Sequence, residues 1–144
     1  TSYSMIPDDA LRQRFRNQLE KNSITSPNML GVWGIILAYQ HGLPWLDELN
    51  SYLRGNARYL ADAIQTHFPT WKMMNPESSY LAWIDVSADS RSATELTQHF
   101  ARQAGVVIED GSHYVQNGEN YLRINFGAQR EWLEQSIERM QKHY

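Results

Sequence analysis

The chain has 144 residues, 42% hydrophobic and 20% charged, which suits a globular body with a real core. Its formal net charge of −3 gives no electrostatic footprint for nucleic acid or for an anionic membrane surface. With no cysteine, disulfides, thiol catalysis and cysteine-based zinc sites are excluded, and the composition fits a reducing cytoplasm.

Residues 1–6 read as a short strand ended by Pro7. The chain enters that apolar segment from Thr1, without an initiator Met, which suggests a piece of a longer protein. Asp8 stands where a helix N-cap belongs, and Leu11, Phe15 and Leu19 recur every four residues, an amphipathic helix with its arginines on the solvated side. Pro27 and Asn28 break the chain. Residues 29–41 then form a helix apolar nearly all round, which implies burial inside a larger body. It is too short to cross a membrane, which takes roughly 20 apolar residues.

Gly42 closes that helix and Pro44 opens the next. The spacing Trp45, Leu49, Tyr52 or Leu53, Leu60, Ile64, Phe68 predicts one long helix as far as Pro69, suited to bridging two bodies. The texture then changes to strands interleaved with helices, the pattern of an α/β domain. Candidate strands are 71–74, 80–86 (apolar enough to be buried on both faces), 106–108 and 121–126. Ser92 and Glu95 make a capping box for a helix to Ala104, with Gly105 as its stop. Turns fall at Asp110-Gly111 and Asn117-Gly118, and Trp132, Leu133, Ile137 and Met140 mark a closing helix. The tryptophans read as core residues.

Few residues carry chemistry. In 121–126, Arg123 shares one face with Tyr121 and Asn125, while Leu122, Ile124 and Phe126 take the other. A strand holds its side chains rigidly, and a guanidinium offers a planar fork that fits a carboxylate. Arg123 therefore reads either as a grip for a substrate carboxylate or as one half of an internal ion pair. The five histidines show no metal spacing, so no metal site is expected. His113, in Glu109-Asp110-Gly111-Ser112-His113, reads either as an acid–base group or as an exposed turn residue. Lys21, Lys72 and Lys142 are the only lysines, and none lies in a setting for imine chemistry.

Four ordered segments resemble a known family. Tyr39-Gln40-His41-Gly42-Leu43-Pro44-Trp45-Leu46 with Tyr52-Leu53 and Asn56, Ser79-Tyr80-Leu81-Ala82-Trp83-Ile84-Asp85, Tyr121-Leu122-Arg123-Ile124-Asn125-Phe126-Gly127, and Ser2-Tyr3-Ser4-Met5-Ile6-Pro7 are similar to motifs of the MalY/PatB-type cystathionine β-lyases. These are fold-type I pyridoxal-phosphate enzymes of the class I/II aminotransferase superfamily. The loop departs from the family's G-x-x-F-G, with Gly111-Ser112-His113-Tyr114-Val115 in its place.

The resemblance implies an α/β fold, the C-terminal portion of the aminotransferase superfold. Residues 1–43 would be the tail of the large cofactor domain, 44–68 a connecting helix, and 69–144 the small C-terminal domain. It implies a pyridoxal-phosphate-dependent C–S β-lyase acting on cystathionine-like amino acids, homodimeric and cytoplasmic. Arg123 would hold the substrate α-carboxylate and Tyr80 would stand at the substrate entrance. The cofactor lysine would lie upstream of Thr1, so no catalytic or cofactor-binding residue is expected within this chain, which alone should be inactive. An aminotransferase is the nearest alternative. A non-catalytic binding or interaction module is the alternative of another class.

Overall fold

Three helices open the chain, the first two started by side-chain caps. In the computed structural model, which describes residues 2–144, Asp8 accepts the Leu11 N–H at 2.6 Å and starts α1, Asp9–Lys21. Asn28 accepts the Gly31 N–H at 3.0 Å and starts α2, Met29–His41. Gly42 ends α2, and α3 follows at once, Leu43–His67, 25 residues long as the spacing predicts.

The strand expected at 1–6 is not formed over residues 2–6; Thr1 lies outside the described residues. A strand needs a ladder partner, and the single sheet among the described residues lies between 72 and 125. The backbone there is held differently: Arg12 Nη1 donates to the Ile6 carbonyl at 2.7 Å and the Pro7 carbonyl at 3.2 Å.

The chain divides into two compact units, one ending at Glu48 and the other Leu49–Tyr144. In the first, neither α1 nor α2 has a buried residue. The apolar α2, expected to be enclosed, leaves Met29 71%, Trp33 56% and Tyr39 76% exposed, because nothing among the described residues covers it.

The second unit holds the core. Its sheet has strands β1 (Lys72–Met73), β2 (Leu81–Asp85), β3 (Glu109–Asp110) and β4 (Tyr121–Asn125) in the order β1-β2-β4-β3, all antiparallel. One face of the sheet supplies Ala82, Ile84, Leu122 and Ile124 to the core. Opposite them come Leu60 and Ile64 from α3, Leu96 from α4 (Ala93–His99), and Leu133, Ile137 and Met140 from α5 (Arg130–Lys142). Burial on both faces of β2 was expected from its continuous apolar run; it is buried on one face only. Helices cover a single side of this sheet, and Trp83 on the other stays half-exposed. Of the tryptophans read as core, only Trp71 is buried. Trp33, Trp45 and Trp132 are largely exposed.

Ser92 and Glu95 cap α4 reciprocally, as their spacing predicts. The helix does not run on as an α-helix to Ala104; residues Phe100–Ala104 widen into a π-turn that places Phe100 and Ala104 in the core. Gly105 then stops it in the left-handed conformation, φ 64°. The strand expected at 106–108 lies three residues later, at β3. Val106 and Ile108 are buried and Val107 is 85% exposed, so the alternation is real. Ladder pairing to β4, however, begins only at Glu109.

One buried polar side chain fastens the unit. Asn56 on α3 is fully buried, and its Nδ2 donates to the carbonyls of Phe126 and Ala128, both at 2.9 Å. One turn earlier, the Tyr52 hydroxyl donates to the Ala128 carbonyl at 3.1 Å and accepts the Arg130 N–H at 2.7 Å. Two side chains of α3 thus hold the segment that leaves β4 and enters α5.

Candidate substrate-carboxylate site

The uncovered face of the sheet gathers the polar and aromatic residues. Antiparallel register pairs Trp83 with Arg123, Asp85 with Tyr121, and Arg123 with Glu109. Cross-strand partners point to the same side, so Trp83, Tyr121, Arg123 and Glu109 share one face. Trp83 stacks on Tyr121, centroids 5.5 Å apart and planes 19° apart, and meets Tyr114 edge-on at 6.5 Å.

Arg123 sits among these rings with 23% of its side chain exposed. Its Nε donates to Glu109 Oε2 at 2.6 Å, and its Nη2 donates to the same oxygen. Nη2 also donates to the Tyr114 hydroxyl at 2.7 Å, and the guanidinium carbon lies 4.0 Å from the centroid of the Tyr114 ring. The Arg123 hydrogen bonds, then that of Tyr114, hold the Glu109 carboxyl below the usual carboxylate range. The bond to Glu109 in turn raises the Tyr114 phenol.

The loop that carries Tyr114 is fixed at its root. The buried Asp110 accepts the Ser112 N–H at 2.9 Å and the Thr94 hydroxyl. Gly111 must be glycine: a Cβ there would come within 2.6 Å of the Gly118 carbonyl oxygen and 2.9 Å of the Trp83 ring.

Of the residues singled out in sequence, Arg123 lies at the centre of this face. Tyr80, immediately before β2, is 49% exposed. Its carbonyl accepts the Phe126 N–H at 2.9 Å and its ring lies against Gly127. No hydrogen bond or ring contact joins Tyr80 to Arg123 among the described residues. His113 is an exposed residue of the turn Gly111–His113. Glu109 and Tyr114 were not found from sequence. The available signal was register: with the strand placed at 106–108, Glu109 falls in a turn and has no cross-strand partner.

Comparison with known proteins gives this face its context. The chain is 36% identical over 136 residues to cystathionine β-lyase PatB of Bacillus subtilis and 33% identical over 137 residues to protein MalY of Escherichia coli. Each alignment covers 94% of this chain and 35% of the relative. The chain is similar to the C-terminal part of the MalY/PatB-type cystathionine β-lyases. No family model matches it. Among solved structures it superposes on a pyridoxal-phosphate-bound C–S lyase from Staphylococcus hominis with a TM-score of 0.81 and 29% identity, covering 96% of this chain and 36% of that one. The chain therefore spans about a third of the length of the curated relatives it matches. The α/β fold is that of the C-terminal part of fold-type I pyridoxal-phosphate enzymes.

The residues present do not fit the cofactor by themselves. Covalent attachment takes a lysine in a desolvated setting. Lys21 and Lys72 are exposed, and Lys142 is exposed and paired with Glu138 at 2.7 Å.

Proposed function

We propose that this chain is the substrate-carboxylate side of a pyridoxal-phosphate-dependent C–S β-lyase acting on cystathionine-like amino acids. Arg123, rigidly mounted on β4 and framed by Trp83, Tyr114 and Tyr121, is the observation that carries this reading. Its guanidinium grips the α-carboxylate and orients the amino acid. The similarity to a cystathionine β-lyase and to a C–S lyase supports the reaction class. Residues 1–43 are the tail of the cofactor domain, 44–68 the connecting helix and 69–144 the small domain. Tyr80 borders the substrate entrance. The whole protein works as a cytoplasmic homodimer.

In the holoenzyme that contains this chain, Arg123→Lys keeps the charge but loses the planar fork. KM for cystathionine is expected to rise at least about tenfold, the lower end of what a charge-assisted hydrogen bond contributes. Pyruvate and thiol release report the lyase. Transamination of a 2-oxoacid faster than pyruvate release would place the protein among the aminotransferases instead.

The 144-residue chain alone is expected to take up no cofactor covalently. Pyridoxal phosphate is added, followed by borohydride and dialysis, and the chain is mapped by mass spectrometry. A single stoichiometrically modified lysine peptide would show that the exposed lysines suffice and would refute the assignment of the cofactor-holding role to residues outside this chain.

A further inference from the structure

Glu109 occupies the Arg123 fork in an unusual manner. Both donors, Nε and Nη2, converge on one carboxylate oxygen, Oε2. The other oxygen, Oε1, accepts the Tyr114 hydroxyl at 2.9 Å. A guanidinium and a carboxylate match best through two parallel bonds, one to each oxygen. The Glu109 pairing forgoes that match, and Nη1 has no protein acceptor among the described residues.

The pair is nonetheless tethered. Glu109 and Arg123 are register partners on adjacent strands, so Glu109 stays within reach whenever it lets go. Its side chain is 46% exposed, so a released carboxylate moves into water without a burial penalty. It also keeps the Tyr114 hydroxyl as a donor.

We propose that Glu109 is a built-in placeholder for the ligand carboxylate at Arg123 and makes the site select an ionised carboxylate over its uncharged carboxamide. This rests on the reading that Arg123 takes a carboxylate. An incoming carboxylate replaces like with like and gains the second parallel bond that Glu109 does not make. The two anions then repel, which drives Glu109 outward. A carboxamide offers one neutral acceptor in exchange for a charge-assisted pair, and it does not displace Glu109. Glu109 is thus a specificity-determining residue that acts by competition.

The test uses the 144-residue chain and the Nε–Hε resonance of Arg123, assigned by its loss in Arg123→Lys. Acetate and acetamide are the probes. In wild type, acetate shifts the resonance and acetamide does not. In Glu109→Gln, acetate binds at least about tenfold more tightly, as expected when one charge-assisted competitor is removed. Acetamide now also shifts the resonance, so discrimination collapses. Glu109→Asp, which withdraws the carboxylate by one methylene, gives intermediate values and serves if the glutamine variant does not fold. Equal acetate affinity in wild type and both variants overturns the placeholder role while the carboxylate reading stands. No response of Arg123 to acetate in any of them overturns both.

Discussion

Phe68→Ala is expected to destabilise the second unit by about 3–5 kcal/mol, the range for deleting a fully buried aromatic ring. Phe68 is 0% exposed and sits where several elements meet. Its ring stacks on Trp71, centroids 4.5 Å apart, and meets Tyr144 edge-on at 5.0 Å and Phe100 at 6.5 Å. The neighbours cannot simply close the cavity. Trp71 is pinned by its Nε1–H bond to Asp89, and the Trp71 N–H is held by the Phe68 carbonyl at 2.9 Å. A domain of ordinary stability has about 5–15 kcal/mol in all, so this one change removes a large share. Urea unfolding followed by tryptophan fluorescence measures it, with the midpoint falling at constant slope. Phe15→Ala, at a ring already 43% exposed, is the control and should cost under about 1 kcal/mol. A midpoint shift for Phe68→Ala no larger than that of Phe15→Ala would contradict the packing argument.

What could be read in the sequence divides along physical lines. Helix starts were legible because capping is local: Asp8, and Ser92 with Glu95, bond within their own first turn. The long α3 was legible from its periodicity between the breakers Gly42 and Pro69. Features set by distant residues were not. The strand at 109–110 exists because β4 offers ladder partners there, while 106–108, with the better apolar alternation, has none. The π-turn at Phe100–Ala104 leaves the same capping box and the same terminal Gly105 that an α-helix would.

The site shows the same division. Strand alternation was enough to set Arg123 apart from Leu122 and Ile124. Which acidic residue it meets required the register between β3 and β4. Of the two readings of Arg123 offered by the sequence, the structure displays the internal ion pair, with Glu109 as its partner. The all-round apolar α2 marks the limit of local reasoning. Its composition implies a covering, and covering is a property of other parts of a fold.

Asp89 is expected to give the second unit an acid sensitivity that Asp89→Asn removes. Its side chain is 2% exposed, and burial alone would raise its pKa. Hydrogen bonds outweigh that: Oδ2 accepts Trp71 Nε1–H and the Tyr144 hydroxyl, each at 2.8 Å, and Oδ1 accepts the Arg91 N–H at 3.0 Å and Nε–H at 3.3 Å. The carboxyl is lowered from 3.8 to about 2. Because the folded pKa lies below the unfolded one, the unfolded chain binds more protons between them. The stabilisation is therefore complete above about pH 5 and is lost as the pH falls through 4 toward 2. A shift of this size corresponds to about 2 kcal/mol. At pH 7 the asparagine variant should be less stable by at least that amount, since an amide presents N–H groups to a site of donors. As the pH falls to 2 the wild type loses its advantage and the two unfolding curves approach each other. Tyr144→Phe, which keeps the ring against Phe68 and removes one of the four donors, should show a smaller loss with the same pH dependence. A gap between wild type and Asp89→Asn that stays constant from pH 7 to 2 would mean that the carboxylate is not what ties Trp71 to the C-terminal Tyr144.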